Sequence, residues 1–146
     1  MPNETMLKFG YPDGLVREYE HWAVLLRPAQ VTLGSLILVS KSDAMAFGRL
    51  PPEAYAELAT VTKEIEATLF AKIGYEKINY LMLMMVDPYV HFHVIPRYNG
   101  TRTLGNISLD DAGWPGPPDL KSAKTPDESE FEALRLQISG NWLIAD

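Results

Sequence analysis

Two of the three histidines in the sequence, His91 and His93, stand one residue apart in the segment VHFHVIPRY. The segment is otherwise mostly apolar and predicts a β-strand. Side chains alternate between the two faces of a strand, so Tyr89, His91 and His93 share one face. The apolar residues between them are expected to pack on the core. Both imidazoles would then project from the opposite, open face, close enough together to contact one small ligand.

A pair of imidazoles at this spacing has three interpretations. The first is that both are sheet residues without a chemical role, because short patterns often match by accident. The second is a metal site, since two neutral ring nitrogens suit zinc, iron or manganese. That site needs a third ligand, and neither His21 nor the carboxylates of Glu76 and Asp87 stand at a recognisable spacing. The third is phosphate chemistry, with one ring as nucleophile and the other as hydrogen-bond partner of the phosphate.

The composition of the chain narrows the classes of protein to consider. The 146 residues, 47% hydrophobic and 22% charged, predict one globular domain spanning 1–146. The absence of cysteine excludes thiolate metal sites, disulfides and a cysteine nucleophile. A net charge of −6 argues against a nucleic acid as partner. No apolar run is long enough for a bilayer, and MPNETMLKFG lacks a signal sequence, so we expect a cytoplasmic protein without membrane contact.

The elements that must position the histidines begin with an antiparallel pair of strands. Strands are predicted over residues 19–26 and 35–40, with Gly34 in the turn between them. A long helix is predicted over 51–73, because apolar residues recur every three or four positions, and Gly74 suits its C-terminal end. This helix is expected to cover one face of the sheet.

The second half of the chain predicts a hairpin followed by a loop-rich region. Strands over 77–86 and 89–96 are separated only by Asp87-Pro88, which indicates an antiparallel hairpin. Residues 99–118 are predicted to form loop. A capping box at 125–128 predicts a short helix after it, and a tail follows Gly140. These elements together predict an α+β fold.

The segment Tyr89–Ile95 resembles the His-φ-His-φ-His-φ-φ strand, with φ apolar, of the histidine triad (HIT) nucleotide-binding proteins, with tyrosine in place of the first histidine. The following Pro96-Arg97 is similar to the dinucleoside-polyphosphate hydrolase branch. The upstream segment Arg27–Val39 and the helix after it also resemble the family, so that about residues 19–98 are covered. The resemblance implies an antiparallel sheet of about five strands with one long and one short helix. It also implies a homodimer whose sheets join across a two-fold axis.

The resemblance also implies a reaction at phosphorus. His91 would attack the α-phosphate of a nucleotide or dinucleoside polyphosphate and form a nucleotidyl-histidine that water cleaves. His93 would donate to a phosphate oxygen, and its protonated form would stabilise the developing charge. The hydroxyl of Tyr89 would support the site, and Arg97 would bind the phosphate tail. No metal or other cofactor is needed.

The nucleoside is expected to contact a second group of residues, namely Leu26, Arg27, Ser35 and Asn79. The connection Asp87-Pro88 is shorter than that of the relatives and lacks their glutamine or serine donor. This difference favours, as an alternative, a nucleotide-binding protein with little turnover. A small metal-binding enzyme that uses His91 and His93 is the third hypothesis.

Overall fold

The computed structural model describes residues 1–145 and confirms the predicted α+β fold with a five-stranded antiparallel sheet. The strands stand in the order β1-β2-β3-β5-β4, and all neighbours are antiparallel. No helix within 1–145 is long and apolar enough to cross a membrane. The elements are α1 (Glu4–Lys8), β1 (Leu15–Glu18), β2 (Trp22–Leu26), β3 (Leu36–Ser40), α2 (Pro52–Ile73), β4 (Lys77–Leu81), β5 (His91–Arg97), β6 (Thr101–Leu104), β7 (Ile107–Asp110) and α3 (Glu128–Ser139), with short 3₁₀ turns at Phe47–Arg49 and Leu120–Ser122.

The long helix α2 packs on one face of the sheet and builds the larger core. Its buried residues Val61, Ile65 and Leu69 join the apolar side chains of β2, β3 and β5 in one cluster. The helix ends where the sequence predicts, because Gly74 adopts a left-handed φ of 65° and donates its backbone N–H to Phe70. The predicted helix over 51–73 is therefore confirmed, and its first residue differs from the prediction by one position.

The opposite face of the sheet is covered by the N-terminal segment. A smaller cluster joins Met6 of α1 to alternate residues of the two central strands, with Phe9, Tyr11 and Leu15 packed around it. The sequence predicted no element here and left the histidine face open, and that prediction is wrong. The side chains of His91 and His93 are only 2% and 8% exposed, because the apolar side of α1 lies over the sheet beside them.

The connection between β4 and β5 is longer than predicted. Strand β4 ends at Leu81, where it pairs with His93, whereas the prediction extended it to Val86. Residues 82–90 leave the sheet as a loop in which Met84 has a left-handed φ of 54°. Because β4 ends at Leu81, which pairs with His93, the first two residues of β5, His91 and Phe92, are paired with β3 alone. The predicted two-residue connection at Asp87-Pro88 is therefore wrong. The loop instead forms one wall of a cavity that the two histidines also line.

The predicted loop 99–118 contains a β-hairpin. Strands β6 and β7 pair from Thr101–Asp110 to Leu104–Ile107, and Gly105 turns the chain with a φ of 61°. The short helix α3 is present, but its capping box is formed by Asp127 and Glu130 rather than by 125–128. Prediction failed at these points because polar residues are common to loops, turns and short exposed strands.

Asn3 attaches the covering segment to the sheet. Its Oδ1 accepts from the backbone N–H of Met6, which caps α1, and its Nδ2 donates to the carbonyls of Ser40 and Ser42 at 2.9 and 3.2 Å. We expect Asn3→Ala to lower the free energy of unfolding by about 1–3 kcal/mol, since a cap, one buried hydrogen bond and one partly buried hydrogen bond are lost.

Urea unfolding measures this difference. The matched control is Asn141→Ala, since the side chain of Asn141 is exposed and makes one bond to Gln137. That substitution should change the free energy of unfolding by less than about 0.5 kcal/mol. Equal stability of the two variants would show that Asn3 does not hold the segment in place.

Candidate active site

The two histidines lie at the start of β5 and face the smaller apolar cluster. His91 pairs with Val39 of β3, and His93 pairs with Ile37 of β3 and Leu81 of β4. The centres of the two rings are 5.2 Å apart, with the ring planes inclined at 74°. The alternation predicted from the sequence is therefore confirmed, because Val90, Phe92 and Val94 point to the opposite face and pack in the larger core.

The position of the proton on His91 follows from one contact. Its Nδ1 lies 2.8 Å from the backbone carbonyl oxygen of Tyr89. A carbonyl only accepts hydrogen bonds, so Nδ1 carries the hydrogen and the neutral ring has its free lone pair on Nε2. A neutral imidazole with an unprotonated Nε2 is a nucleophile or a general base.

His93 has the opposite arrangement. The Nε–H of Arg27 donates to Nδ1 of His93 at 3.3 Å, and a guanidinium has no acceptor. Nδ1 of His93 is therefore unprotonated, and the neutral ring carries its hydrogen on Nε2. Burial, and then the charge of Arg27, lower the pKa of His93 to about 4. In the ligand-free site near neutral pH this ring is therefore a neutral hydrogen-bond donor, whereas the resemblance implied a protonated one.

A cavity of about 280 Å³ opens above the two rings. One wall comes from the end of α1 and the residue after it, and the other from the loop between β4 and β5. The lining side chains combine two imidazoles, two cations, one carboxylate and apolar groups. They are Lys8, Phe9, Arg27, Leu83, Met84, Met85, Val86, Asp87, His91 and His93.

Two contacts join the walls of this cavity to its floor. The ring of Phe9 lies over the histidines, with its centre 5.7 Å from His91 and 5.9 Å from His93. The ammonium of Lys8 forms an ion pair with Asp87 at 2.8 Å across the opening. The histidines therefore lie in a partly enclosed and mostly apolar site, where hydrogen bonds to charged ligands are stronger than in open water.

Some predicted site residues lie elsewhere. Leu26 is fully buried in the larger core beneath α2. Ser35 is also fully buried, and its hydroxyl donates to the carbonyl of Thr32 at 2.7 Å inside the turn before β3. Neither side chain lines the cavity above the histidines. Of the four predicted nucleoside contacts, only Arg27 lies in the cavity.

Arg97 and Asn79 lie at a second cavity near the other end of β5. The guanidinium of Arg97 bonds both carboxylate oxygens of Asp111, at 2.7 and 3.2 Å, and donates to Oδ1 of Asn79 at 2.9 Å. Both members of this ion pair are buried. A buried ion pair with these additional bonds holds the segment around Gly116 against the sheet. The structure does not bring these side chains together with the histidines.

Tyr89 contributes to the site through its backbone. Its carbonyl orients His91, and its N–H donates to the hydroxyl of Thr5 in α1 at 3.3 Å. The sequence predicted instead that the Tyr89 hydroxyl supports the phosphate site, and the Tyr89 side chain does not line the cavity. Tyr89 lies in the loop before β5, and because a backbone carbonyl makes this contact, the contact does not depend on the residue type at position 89.

Sequence reasoning missed the contribution of Lys8 and Phe9. One available signal was Asn3, followed by Met6 and Leu7, because asparagine before an apolar pair is a helix-start pattern. The side on which such a short helix packs is a property of the tertiary structure. The lining role of the methionine-rich loop was also missed, since the same residues are typical of a strand.

Solved structures similar to this chain are histidine triad proteins. They include a histidine triad protein of Sinorhizobium meliloti 1021, 27% identical, with a TM-score of 0.74 over 97% of this chain and 96% of that one. A histidine triad protein of Marinobacter aquaeolei VT8 is 22% identical, with a TM-score of 0.70 over 97% of each chain. A hypothetical histidine triad nucleotide-binding protein of Sulfolobus tokodaii is 20% identical, with a TM-score of 0.69 over 94% of this chain and 88% of that one.

No protein-family model matches the sequence, and no curated protein matches it significantly. The agreement in three dimensions over nearly the whole chain nevertheless shows that this protein has the histidine triad fold. The names of these structures do not distinguish a branch of the family, so the dinucleoside-polyphosphate branch stays a prediction.

The contact between Arg27 and His93 generates a prediction about pH. We expect Arg27→Met to raise the pKa of His93 above its value of about 4, because a positive charge beside the ring is removed while burial remains. An NMR titration of the imidazole measures this pKa directly. Arg49→Met is the control, since Arg49 is exposed and lies outside the cavity. An unchanged pKa in Arg27→Met would show that the guanidinium does not act on the ring.

The same pKa has a consequence for stability. An imidazole in the unfolded chain has a pKa of about 6.5. The unfolded state therefore binds more protons than the folded state between about pH 6.5 and the folded pKa of about 4. The contribution of His93 is complete above this window and is lost as the pH falls through it. Arg27→Met should make that loss smaller.

Proposed function

We propose that the protein binds a nucleotide derivative and transfers or hydrolyses its nucleotidyl group through a covalent intermediate on His91. The histidine triad fold supports a nucleotide-binding hydrolase or transferase in general terms. The observation that carries the proposal is the pair of opposite imidazole tautomers at the floor of one cavity. One ring presents a free lone pair, and its neighbour presents an N–H.

The reaction divides into two displacements at the α-phosphorus. In the first, the Nε2 lone pair of His91 forms a bond to phosphorus, and the bond from phosphorus to the leaving group breaks. The leaving group departs with that electron pair and, where it is basic, takes up a proton from solvent. In the second, water attacks the same phosphorus and releases a proton to solvent, the bond to nitrogen breaks, and His91 returns to its starting state with a free Nε2.

His93 and Arg27 act on the phosphate oxygens in this scheme. The Nε2–H of His93 donates to a non-bridging oxygen, and Arg27 both holds that ring in the donating tautomer and supplies positive charge. The carbonyl of Tyr89 keeps His91 in the nucleophilic tautomer. These groups are fixed before the substrate arrives, which reduces the reorganisation needed in the transition state.

The substrate class follows from the two halves of the cavity. Leu83, Met84 and Met85 offer an apolar surface to a base, and methionine adapts to different ring shapes. The imidazoles and the two cations suit phosphate groups. We therefore propose a nucleoside phosphate with a further substituent on its α-phosphorus, with a dinucleoside polyphosphate as the first candidate.

Several assignments from the sequence remain predictions. These are the phosphate ligand Arg97 and the three nucleoside contacts Leu26, Ser35 and Asn79. All four side chains lie outside the cavity above the histidines. The homodimer and the cytoplasmic location also remain predictions, from the resemblance and from composition respectively.

The structure bears differently on the two alternative functions. The weakly active nucleotide-binding protein was inferred from a two-residue connection that lacks a glutamine or serine donor. The actual loop of residues 82–90 removes the first reason, but it contains neither residue type, so the second reason still favours this alternative. For the metal-binding alternative, no group of three or more histidine, cysteine or acidic side chains within residues 1–145 is placed to hold a metal ion. Nδ1 of each ring is also engaged by another group.

The test is turnover by the purified, chelator-treated protein. We expect cleavage of diadenosine tetraphosphate or of an adenosine phosphoramidate, and a loss of roughly 10³-fold or more in His91→Asn, because the nucleophile is removed. Chromatography of the products measures the rate. A rapid quench into base followed by intact-mass measurement should show one added nucleotidyl group on the wild-type chain and none on the variant.

His21→Asn is the matched control, since it makes the same change in the histidine that does not line the cavity. Its rate should stay within about twofold of the wild type. Retained turnover in His91→Asn would sink the nucleophile assignment. Turnover that disappears on chelation and returns with a divalent metal would favour the metal-binding alternative instead.

A further inference from the structure

The ion pair between Lys8 and Asp87 closes the side of the cavity opposite the sheet. Lys8 is the last residue of α1, and Asp87 lies in the loop between β4 and β5, so the pair joins the two walls. The Lys8 side chain is 52% exposed, whereas that of Asp87 is only 13% exposed. The ammonium therefore has one charged partner on the protein, Asp87, and its side chain is about half exposed to solvent.

The donors available to a chain of phosphates in this cavity are few. Residues 82–90 carry only two polar side chains, Asp87 and Tyr89, and neither is a cation. Arg27 is already engaged with His93 and with the carbonyl of Ala29. Lys8 is thus the lining cation whose charge is held by one half-exposed ion pair, which is weaker than a fully buried and multiply bonded one.

The position of Lys8 relative to the nucleophile also suits this role. Its Nζ lies 5.7 Å from the centre of the Phe9 ring, and that ring lies against both imidazoles. One aromatic ring therefore separates the ammonium from the place where the α-phosphate would lie. A further phosphate attached to the α-phosphorus and directed past the Phe9 ring would come within reach of Lys8.

We propose that Lys8 is a specificity-determining residue that binds the phosphates beyond the α-phosphate, and that Asp87 competes with those phosphates for its ammonium. This inference rests on the proposed function and names the substrate feature that the site selects. A polyphosphate displaces the carboxylate, because it presents several charged oxygens where Asp87 presents one group. A substrate whose leaving group is small or neutral leaves the ion pair intact and gains nothing from Lys8.

The competition predicts opposite effects for the two members of the pair. Lys8→Gln removes the cation and leaves an unpaired carboxylate that repels a polyphosphate. Asp87→Asn removes the competitor and leaves Lys8 free. A purely structural ion pair predicts instead that both substitutions loosen the same wall and change binding in the same direction.

The experiment is calorimetric titration of the wild-type chain and its variants with AMP and ATP in the presence of chelator. Chromatography afterwards verifies that the nucleotide is intact. The quantity compared is the ratio of the AMP and ATP dissociation constants. We expect Lys8→Gln to reduce the preference for ATP about tenfold, which is the effect of one charge-assisted hydrogen bond, and Lys8→Arg to retain most of it.

Asp87→Asn should raise the preference for ATP. Neither Lys8→Gln nor Asp87→Asn should change the affinity for AMP by more than about threefold. Lys63→Gln and Glu53→Gln are matched controls, because they make the same charge changes at exposed positions of α2 on the other side of the sheet. Both controls should keep the wild-type ratio.

A ratio that is unchanged in Lys8→Gln, or that moves in the same direction in Lys8→Gln and Asp87→Asn, would overturn the role of Lys8 and leave the proposed function standing. Failure of the wild-type chain to bind either nucleotide would overturn the proposed function itself, and with it this inference.

Discussion

The alternation of side chains along β5 is the constraint on which the rest of the structure depends. The alternate residues Phe92 and Val94 face α2 and complete the larger core. His91 and His93 face the thinner layer formed by the N-terminal segment. A shift of one residue in the pairing with β3 would place both imidazoles under α2 and turn apolar side chains toward the cavity. The register at Val39 and Ile37 therefore fixes the core and the site together.

The two imidazoles differ in chemistry because their Nδ1 atoms meet different partners. A carbonyl from the preceding chain faces His91, and a guanidinium from the end of β2 faces His93. Tyr89 lies just before β5 and Arg27 just after β2, so the lone pair of one ring and the hydrogen of the other are set by the fold. The low pKa of His93, about 4, has the same origin, since the layer that covers the face also removes water from the ring.

The sequence was sufficient for the parts that depend on local pattern. The periodic apolar face and the terminal glycine predicted α2, and the two-residue alternation predicted which face of β5 carries the histidines. The loop of residues 82–90 could not be predicted, because Met82–Val86 has the composition of a strand and leaves the sheet only through tertiary packing. Arg97 was assigned to phosphate because it is a cation beside the motif. Its pairing with Asp111, 14 residues later, depends on a fold-back that no local pattern indicates.

A chain with a net charge of −6 does not attract a nucleotide over long distances, so recognition must depend on donors arranged inside the cavity. The neutral N–H of His93 is well suited to this, because it donates without the cost of burying a charge. The cations then have separate tasks. Arg27 is held against the floor, where it sets a tautomer, while Lys8 stands at the opening beside water. In the proposed reaction, the half-exposed charge of Lys8 would distinguish substrates by their leaving groups, whereas the half-buried charge of Arg27 would prepare the reacting atoms.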